Sequence, residues 1–373
     1  MVKRYHWLHQ SQYISRLSIA CKMCAKGAKM VVLITGKCPA QCFYCPLSKH
    51  KQQKDVIYAD EWKLTDENDV ETLLSEAKAI QATGAGITGG DPLIVPNRTI
   101  RYIKLLKETF GPDFHIHLYT SGIKNTESIN EMISSGLDEI RFHPEPFFWS
   151  KMNQSPQSQI IIKTSKLLVE TAIEIPSIPN KTQDIIDLIN WADHHDVDYI
   201  NLNELEFSEQ NEQALYQKGY QMKDDVSAAA KQSQETAYDV LTYFEQHPSH
   251  IGIHYCSSSF KDGVQLTNRM KRRAQYIATH HDIITEQGTL LKGIIEPSNN
   301  HSLNDIITIL KKEQIPEKKY GIDKRKKRIY LHPQLAEELA EKIISSQLLF
   351  FIIEEYPTAD HLEVERIPLS TKK

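Results

Sequence analysis

Three cysteines near the N-terminus constrain this 373-residue chain more than any other feature. Cys38, Cys42 and Cys45 have the spacing C-x3-C-x2-C and follow the apolar run Met30–Thr35, which we predict to be a buried strand. Close thiol spacings of this kind are typical of metal or cluster ligands. Three thiolates can bind three irons of a 4Fe–4S cluster and leave the fourth iron without a protein ligand. The alternative is a structural zinc site, which needs a fourth ligand.

Composition excludes several classes of protein. Hydrophobic residues make up 40% and charged residues 25% of the chain, as in ordinary globular proteins. The net charge of −4 gives no global attraction to nucleic acid or to an anionic membrane. The polar N-terminus lacks the apolar core of a signal peptide, and no uncharged run approaches the ~20 residues of a membrane span. Because the cysteines are also closely spaced, we predict a cytoplasmic protein in a reducing compartment.

Apolar strands alternate with helical patterns over the first two thirds of the chain, which indicates βαβ units in a parallel sheet and an α/β fold. We predict six strands, at Met30–Thr35, Ala85–Thr88, His115–Tyr119, Leu137–Phe142, Ala172–Pro176 and Tyr199–Glu204. In barrels of such units, chemistry gathers at the carboxyl ends of the strands. The cysteine loop follows the first of these strands, so it lies at that end.

A second motif, Gly89-Gly90-Asp91-Pro92, follows the second predicted strand. Together with the cysteine loop, it resembles the radical S-adenosylmethionine (SAM) superfamily. The resemblance implies a partial (β/α)6 barrel in which the amino and carboxylate groups of SAM chelate the open iron of a 4Fe–4S cluster. One electron, from a ferredoxin- or flavodoxin-type donor, then cleaves SAM to a 5′-deoxyadenosyl radical that abstracts hydrogen from a substrate.

Longer stretches narrow the resemblance to a mostly archaeal group related to pyruvate formate-lyase activating enzymes. They include Cys42–Ser48, Asn203–Glu206, Tyr255–Ser258 and Glu354–Asp360. Those activating enzymes form a glycyl radical on a partner protein. This chain has further cysteines and a further C-terminal domain beyond their minimal barrel, so we favour modification of tRNA or of a small-molecule precursor. Activation of a protein partner is the alternative within enzymes, and a non-catalytic zinc-binding interaction protein is the alternative outside them.

Polar and glycine residues at the strand ends are the candidate cofactor-binding residues, whereas no single catalytic residue can be assigned. By resemblance they hold the carboxylate or ribose of SAM, or the substrate, and the simpler interpretation of each is a hydrogen-bonded structural group. The candidates are Tyr44, Gly89, Gly90, Asp91, Pro92, Thr120, Ser121, Arg141, His143, Asn201, Asn203 and Glu204.

The remaining cysteines, Cys21, Cys24 and Cys256, form a second group of three. Cys21 and Cys24 are a C-x2-C pair before the first strand, and Cys256 ends the strand-like segment Ile251–Cys256. We hypothesise that they bind an auxiliary iron–sulfur cluster. A zinc site completed by a histidine such as His254, or free thiols, are the alternatives.

The pattern predicts four regions. Residues 1–29 are an N-terminal extension with the C-x2-C pair, and residues 30–209 are the partial barrel. Residues 210–288 are a helical and loop extension that carries Cys256, and residues 289–373 are a small α+β domain. The basic runs Lys271–Arg273 and Lys324–Arg328 are candidates for contact with RNA phosphates, although such runs are usually solvated surfaces.

Overall fold

The computed structural model describes residues 3–224, 227–298, 301–343 and 348–369. The predicted regions also include 1–2, 225–226, 299–300, 344–347 and 370–373, which lie outside the described residues. The chain forms two compact units. The first extends through Leu266 except for Ala79–Gln81, and the second contains Ala79–Gln81 and the chain from Thr267 onward.

The first unit is built on an 11-stranded sheet with the order β1-β2-β11-β10-β9-β8-β7-β6-β3-β4-β5. The strands are β1 Arg4–His6, β2 Gln12–Ile14, β3 Lys29–Leu33, β4 Tyr58–Ala59, β5 Trp62–Lys63, β6 Gly84–Thr88, β7 His115–Thr120, β8 Glu139–Phe142, β9 Glu170–Ser177, β10 Tyr199–Glu204 and β11 Gly252–Cys256. Helices connect most of the parallel strands, as expected for crossover connections in a parallel sheet. They are α1 Ile19–Ala25, α2 Val70–Ala79, α3 Pro96–Phe110, α4 Ile129–Ser134, α5 Ser158–Thr164, α6 Thr182–His194, α7 Glu212–Gln217, α8 Ser233–Gln246 and α9 Ser258–Phe260.

All six predicted strands are present, as β3, β6, β7, β8, β9 and β10, and each is parallel to its neighbour. The structure adds a seventh parallel strand, β11, paired with β10 through contacts such as Asn203 to Cys256. The segment that carries Cys256 is therefore part of the main sheet and not of a helical and loop extension. The difference arises because the segment is short and isolated between polar stretches, where strand pairing is decided by tertiary contacts.

The N-terminal extension also joins this sheet. β1 and β2 form an antiparallel pair, and β2 pairs with β11 so that Ile14 lies opposite Ile253. On the opposite edge β4 pairs antiparallel with β3. The two edge strands of the parallel array are thus each covered by an antiparallel strand, and the array is an open, partial barrel.

The two faces of the parallel strands differ in chemistry. One face is apolar, with buried residues such as Ile116, Leu118 and Ile173. The other face carries buried polar groups that are two residues apart along each strand, and helix α1 packs against it. Its members include His115, His117, Glu139, Arg141, Asn201 and His254. Because burial of polar groups is costly without partners, this interior face is the place to look for function.

The second unit is a small α+β domain. Its sheet has the order β14-β15-β13-β16-β17, with β12 also paired to β13. The elements are helix α10 Thr267–Ile277, strands β12 Ile283–Ile284 and β13 Leu290–Pro297, helix α11 Leu303–Lys312, strands β14 Tyr320–Asp323 and β15 Arg328–Leu331, helix α12 Pro333–Lys342, and strands β16 Leu348–Glu355 and β17 Glu363–Pro368. Residues of α11 and α12, such as Leu310 and Leu339, share a core with Ile329 and Phe350 of the sheet.

Among the described residues, no helix is both long enough and apolar enough to cross a bilayer.

Candidate functional site

The cysteine loop leaves the carboxyl end of β3, and its backbone is fixed by the chain that follows it. The Gly36 amide donates to the Lys54 carbonyl at 2.8 Å, and the Gln53 side-chain amide donates to the Cys38 carbonyl at 2.9 Å. Cys38, Cys42 and Cys45 are all partly buried. The loop therefore presents three thiols from a braced backbone.

The Gly-Gly segment lies directly against this loop. The Gly90 amide donates to the Thr35 carbonyl at 2.7 Å, and the Asp91 amide donates to the Lys37 carbonyl at 2.8 Å. A Cβ at Gly89 would lie 2.2 Å from the Thr35 oxygen, and a Cβ at Gly90 would lie 2.2 Å from the Lys37 oxygen. Only glycine permits this close approach, which joins the two sequence motifs into one structure.

Asp91 stabilises the contact between the cysteine loop and the Gly-Gly segment. It is fully buried, and its carboxylate accepts hydrogen bonds from Thr120 Oγ1 at 2.8 Å and from the backbone amides of Leu93 at 3.0 Å and Ser121 at 3.1 Å. The Ser121 hydroxyl donates to it as well. Because these hydrogen bonds occupy both carboxylate oxygens, Asp91 positions the strand ends and does not face the cavity described next.

A cavity of about 590 Å³ opens between the cysteine loop and the carboxyl ends of the strands. The three loop cysteines line it together with most of the predicted cofactor-binding residues. These are Tyr44, Gly89, Gly90, Thr120, Ser121, Arg141, His143, Asn203 and Glu204. Asp91, Pro92 and Asn201 are not part of its lining, because Asp91 and Pro92 turn into the core and Asn201 lies deeper along β10.

The floor of the cavity is a charged network. The Arg141 guanidinium forms ion pairs with Glu174 and, at 2.7 Å, with Glu139, and the Asn203 side-chain amide donates to Glu174 at 2.8 Å. Burial opposes ionisation of Glu174, but Arg141 and Asn203 outweigh it and hold the pKa of that carboxyl below its ordinary value. Glu174 is therefore a carboxylate that faces the cavity.

Sequence reasoning missed several lining residues, namely Glu174, Tyr119, Lys51, Glu206 and Lys261. For Glu174 a signal existed, because one charge interrupts the apolar strand Ala172-Ile173-Glu174-Ile175. Lys261 and Glu206 form an ion pair at 2.5 Å beside the cavity, yet they are far apart in a less regular part of the sequence.

Tyr44 links the cysteine loop to β8. Its hydroxyl and His143 Nε2 share a hydrogen bond of 2.8 Å, and the Asn211 side-chain amide donates to the Tyr44 carbonyl at 3.0 Å. Burial lowers the pKa of His143 below its usual value, so the imidazole is neutral and able to pair with the hydroxyl. Tyr44 is 7% exposed and buttresses the loop between Cys42 and Cys45.

The second cysteine group gathers on the interior face. Cys21 on α1 contacts the Arg141 guanidinium at 3.4 Å and Asn201 Oδ1 at 3.9 Å. Burial raises the pKa of the Cys256 thiol, and the charges of Cys24 and Cys21 raise it further. The sequence neighbour of Cys24, Ala25, packs in the same apolar cluster as Cys256. The fold thus brings two segments from opposite ends of the first unit into one thiol neighbourhood.

The three loop thiols fit an iron–sulfur cluster better than a single zinc ion. In the described part of the chain, neither group brings its three sulfurs within 4.8 Å of one another. Tetrahedral zinc with bonds of ~2.3 Å would hold thiolates about 3.8 Å apart, whereas a cubane binds each thiolate to a different iron. Burial raises the pKa of Cys38 to about 12, so this thiol needs a bound cation to ionise at neutral pH.

Comparison with known proteins assigns the class. Residues 32–192 match the radical SAM superfamily, and residues 288–369 match a domain of unknown function, DUF8061. A curated protein of Methanocaldococcus jannaschii, named "Putative glycyl-radical enzyme activating enzyme MJ0021", is 40% identical over 96% of this chain and 94% of its own length. This chain belongs to the radical SAM superfamily and is an S-adenosylmethionine-dependent enzyme. The family implies a 4Fe–4S cluster and SAM as cofactors and requires a reductant.

Solved structures match more distantly. Streptococcus suis SuiB bound to SAM is 14% identical, with a TM-score of 0.43 over 62% of this chain and 50% of SuiB. SuiB bound to its precursor peptide SuiA is 13% identical, with a TM-score of 0.46 over 72% of this chain and 61% of SuiB. In the first alignment this chain spans only half of SuiB.

Proposed function

We propose that this enzyme cleaves SAM reductively at a cluster held by Cys38, Cys42 and Cys45, and abstracts hydrogen from a small polar substrate. The observation that carries the proposal is the shared cavity. It is lined by all three thiols, by Gly89 and Gly90, and by a charged floor at the strand ends. When bound, the cluster and SAM supply a 5′-deoxyadenosyl radical.

The chain's own residues have distinct parts in this proposal. The backbone carbonyls of Gly89 and Gly90 accept hydrogen bonds from the ammonium group of SAM, because glycine has no side chain to cover them. Asp91 positions that backbone through its bonds to Thr120 and Ser121. Tyr44 and His143 brace the cysteine loop across the cavity.

The charged floor supports a polar substrate. Arg141, Glu174 and Asn203 form a fixed pattern of donors and acceptors, and Lys261 with Glu206 adds a second ion pair at the wall. Such convergent polar groups orient a small ligand and exclude apolar analogues. A substrate that carries both an anionic and a cationic group fits this lining best.

A protein partner is the second candidate, and the name of the archaeal relative favours it. Under this proposal, a glycine Cα–H of the partner would enter the cavity as an extended segment. RNA is a less favoured substrate, because part of the basic run Lys324–Arg328 is already neutralised by carboxylates of the chain. Arg328 is buried and forms ion pairs with Glu355 at 3.1 Å and with Glu363.

We retain the auxiliary cluster as a proposal for Cys21, Cys24 and Cys256. The cations around these thiols support it, since Arg141 lies at 3.4 Å from Cys21 and the charge of Lys261 acts on Cys256. Positive charge stabilises thiolates and the negative charge of a thiolate-ligated cluster. These three thiols do not line the cavity, so a cluster there would exchange electrons with the site and not ligate the substrate.

Anaerobic reconstitution with iron and sulfide tests the main proposal. With SAM and dithionite, wild type should release 5′-deoxyadenosine and Cys42→Ala should release none. Ferredoxin or flavodoxin should replace dithionite as the electron donor. Absence of 5′-deoxyadenosine from reconstituted wild type would refute reductive cleavage.

Iron and sulfide content tests the auxiliary cluster separately. Cys21→Ala/Cys24→Ala should lose the iron of one cluster and keep that of the other. Equal iron in this variant and wild type would refute the second cluster and leave the first proposal untouched.

A further inference from the structure

A cluster of one histidine and two glutamates, of which two residues are buried and one is half-buried, lies at the opposite end of the strands from the cysteine loop. His115, Glu139 and Glu170 are the first residues of β7, β8 and β9. One ligand atom from each lies within 4.8 Å of the other two. Glu139 and Glu170 are direct neighbours in the parallel register. In barrels of this kind, the amino ends of the strands are remote from the chemistry.

Several buried polar atoms of this group have no hydrogen-bond partner. These atoms are both ring nitrogens of His115, Oε2 of Glu139 and Oε2 of Glu170. His115 is 7% exposed and Glu139 is fully buried. Buried polar atoms are usually paired, and a buried carboxylate without a partner costs several kcal/mol or more. An imidazole without a hydrogen-bond partner, close to two carboxylates that each keep one unpaired oxygen, therefore points to a missing cation.

The partners that the two carboxylates do have lie on their other oxygens. Arg141 Nε donates to Glu139 Oε1 at 2.7 Å, and the Tyr199 hydroxyl donates to Glu170 Oε1 at 3.3 Å. Burial raises the pKa of Glu170, and repulsion from Glu139 and Asp198 raises it further. Two repelling carboxylates, one buried and one half-buried, favour either a bound cation or a shared proton.

We propose that His115, Glu139 and Glu170 bind one divalent transition-metal ion. Imidazole and carboxylate together suit Zn²⁺, Mn²⁺ or Fe²⁺. His115 Nε2 lies 3.8 Å from Glu139 Oε2, and ligands at 2.0–2.2 Å around a tetrahedral ion would be about 3.4 Å apart. A small side-chain rotation closes that difference. Burial lowers the pKa of His115, which keeps its ring neutral and available as a ligand.

The ion would fasten the beginnings of three adjacent strands. It would also fix Glu139, whose second oxygen holds Arg141, and Arg141 extends to Glu174 in the cavity floor. The role is structural and positioning, because the ion does not line the cavity. The site does not depend on the proposed SAM chemistry.

Mn²⁺ is a suitable probe, since it prefers oxygen and imidazole ligands and leaves the six cysteines aside. Reconstituted protein is treated with a mild chelator, and its iron content is checked to show that the clusters remain. Free Mn²⁺ is then followed by electron paramagnetic resonance during a titration. We expect one tight site per chain in wild type.

Two variants keep the test decisive. Glu170→Gln and His115→Gln should each weaken Mn²⁺ binding at least ~10-fold, because even outer-shell changes at metal sites cost that much. Glu131→Gln, an exposed glutamate on α4, is the matched control and should bind as wild type does. Circular dichroism and iron content identify a variant that fails to fold, in which case the other variant decides. No tight site in wild type, or equal binding by all variants, would overturn the proposal.

Discussion

The two thiol groups of the first unit are alike in number and opposite in construction. Cys38, Cys42 and Cys45 lie on one loop, within eight residues of sequence that any reader can recognise. Cys21, Cys24 and Cys256 come from a helix at the start of the unit and a strand near its end. The three thiols of the first group are close because of their local spacing in the sequence. Those of the second group come together only in the completed sheet. A local motif therefore identifies the first group, whereas the second can be suspected from sequence but is brought together only by the fold.

The largest expected effect separates the two groups by function. In Cys42→Ser we expect 5′-deoxyadenosine to fall to background, because one iron loses its thiolate and the radical cluster fails to assemble. In the reduced state, SAM should alter the electron paramagnetic resonance spectrum of wild type and of Cys24→Ser, but not that of Cys42→Ser. If Cys24→Ser also lost this response, the two groups would not be independent.

The next effect concerns the buried ion pair of Arg141 and Glu174 in the cavity floor. Glu174→Gln should lower the free energy of unfolding by about 3 kcal/mol, since it leaves Arg141 buried with one of its carboxylate partners removed. Chemical denaturation measures this. Glu131→Gln removes only an exposed contact to Lys104 and should cost less than ~0.5 kcal/mol. Equal losses in both variants would contradict the buried network.

A smaller effect is expected at the junction of the two motifs. Asp91→Asn should lower the free energy of unfolding by about 1–2 kcal/mol, because charge-assisted hydrogen bonds from Ser121 and Thr120 are weakened. The same variant should raise the KM for SAM more than it lowers kcat, as expected of a group that positions the binding backbone. A fall in kcat alone would instead indicate contact with the reacting atoms.

The smallest effect is a pH dependence at the base of the cysteine loop. The hydrogen bond from Arg98 lowers the pKa of Asp55 from 3.8 to about 2, and Asp55 accepts a bond from Thr35 before the loop. The stability from this group is present above about pH 4 and is lost as the pH falls through about 2. The difference in unfolding free energy between wild type and Asp55→Asn should shrink over that range. A constant difference would show that the ion pair contributes nothing.

Much of the fold followed from sequence because its strands are continuous apolar runs between helical patterns. Tyr199–Glu204 was predicted with the bounds that the structure has. The Gly-Gly turn was also predictable as part of the site, since only glycine suits its close approach. In both cases the information is local.

Other features were hidden because they depend on pairing between distant segments. The segment Ile251–Cys256 was recognised as strand-like, but its place as the seventh parallel strand depends on pairing with β10 and β2. Asp91 was expected to face the ligand, but its carboxylate is turned to Thr120 and Ser121, which sequence spacing cannot show. Glu139 and Glu170 begin different strands, so their proximity depends on the parallel register.

The docking of β11 beside β2 also sets an order for maturation of the protein. During synthesis the chain emerges from its N-terminus, so the loop thiols are available for metal early. Cys256 can join Cys21 and Cys24 only after most of the first unit has been made and its last parallel strand has paired. Under the proposal of an auxiliary cluster, delivery of iron to Cys21, Cys24 and Cys256 would be the last step of assembly. A stalled or truncated chain would then retain an incomplete set of thiols that is open to oxidation.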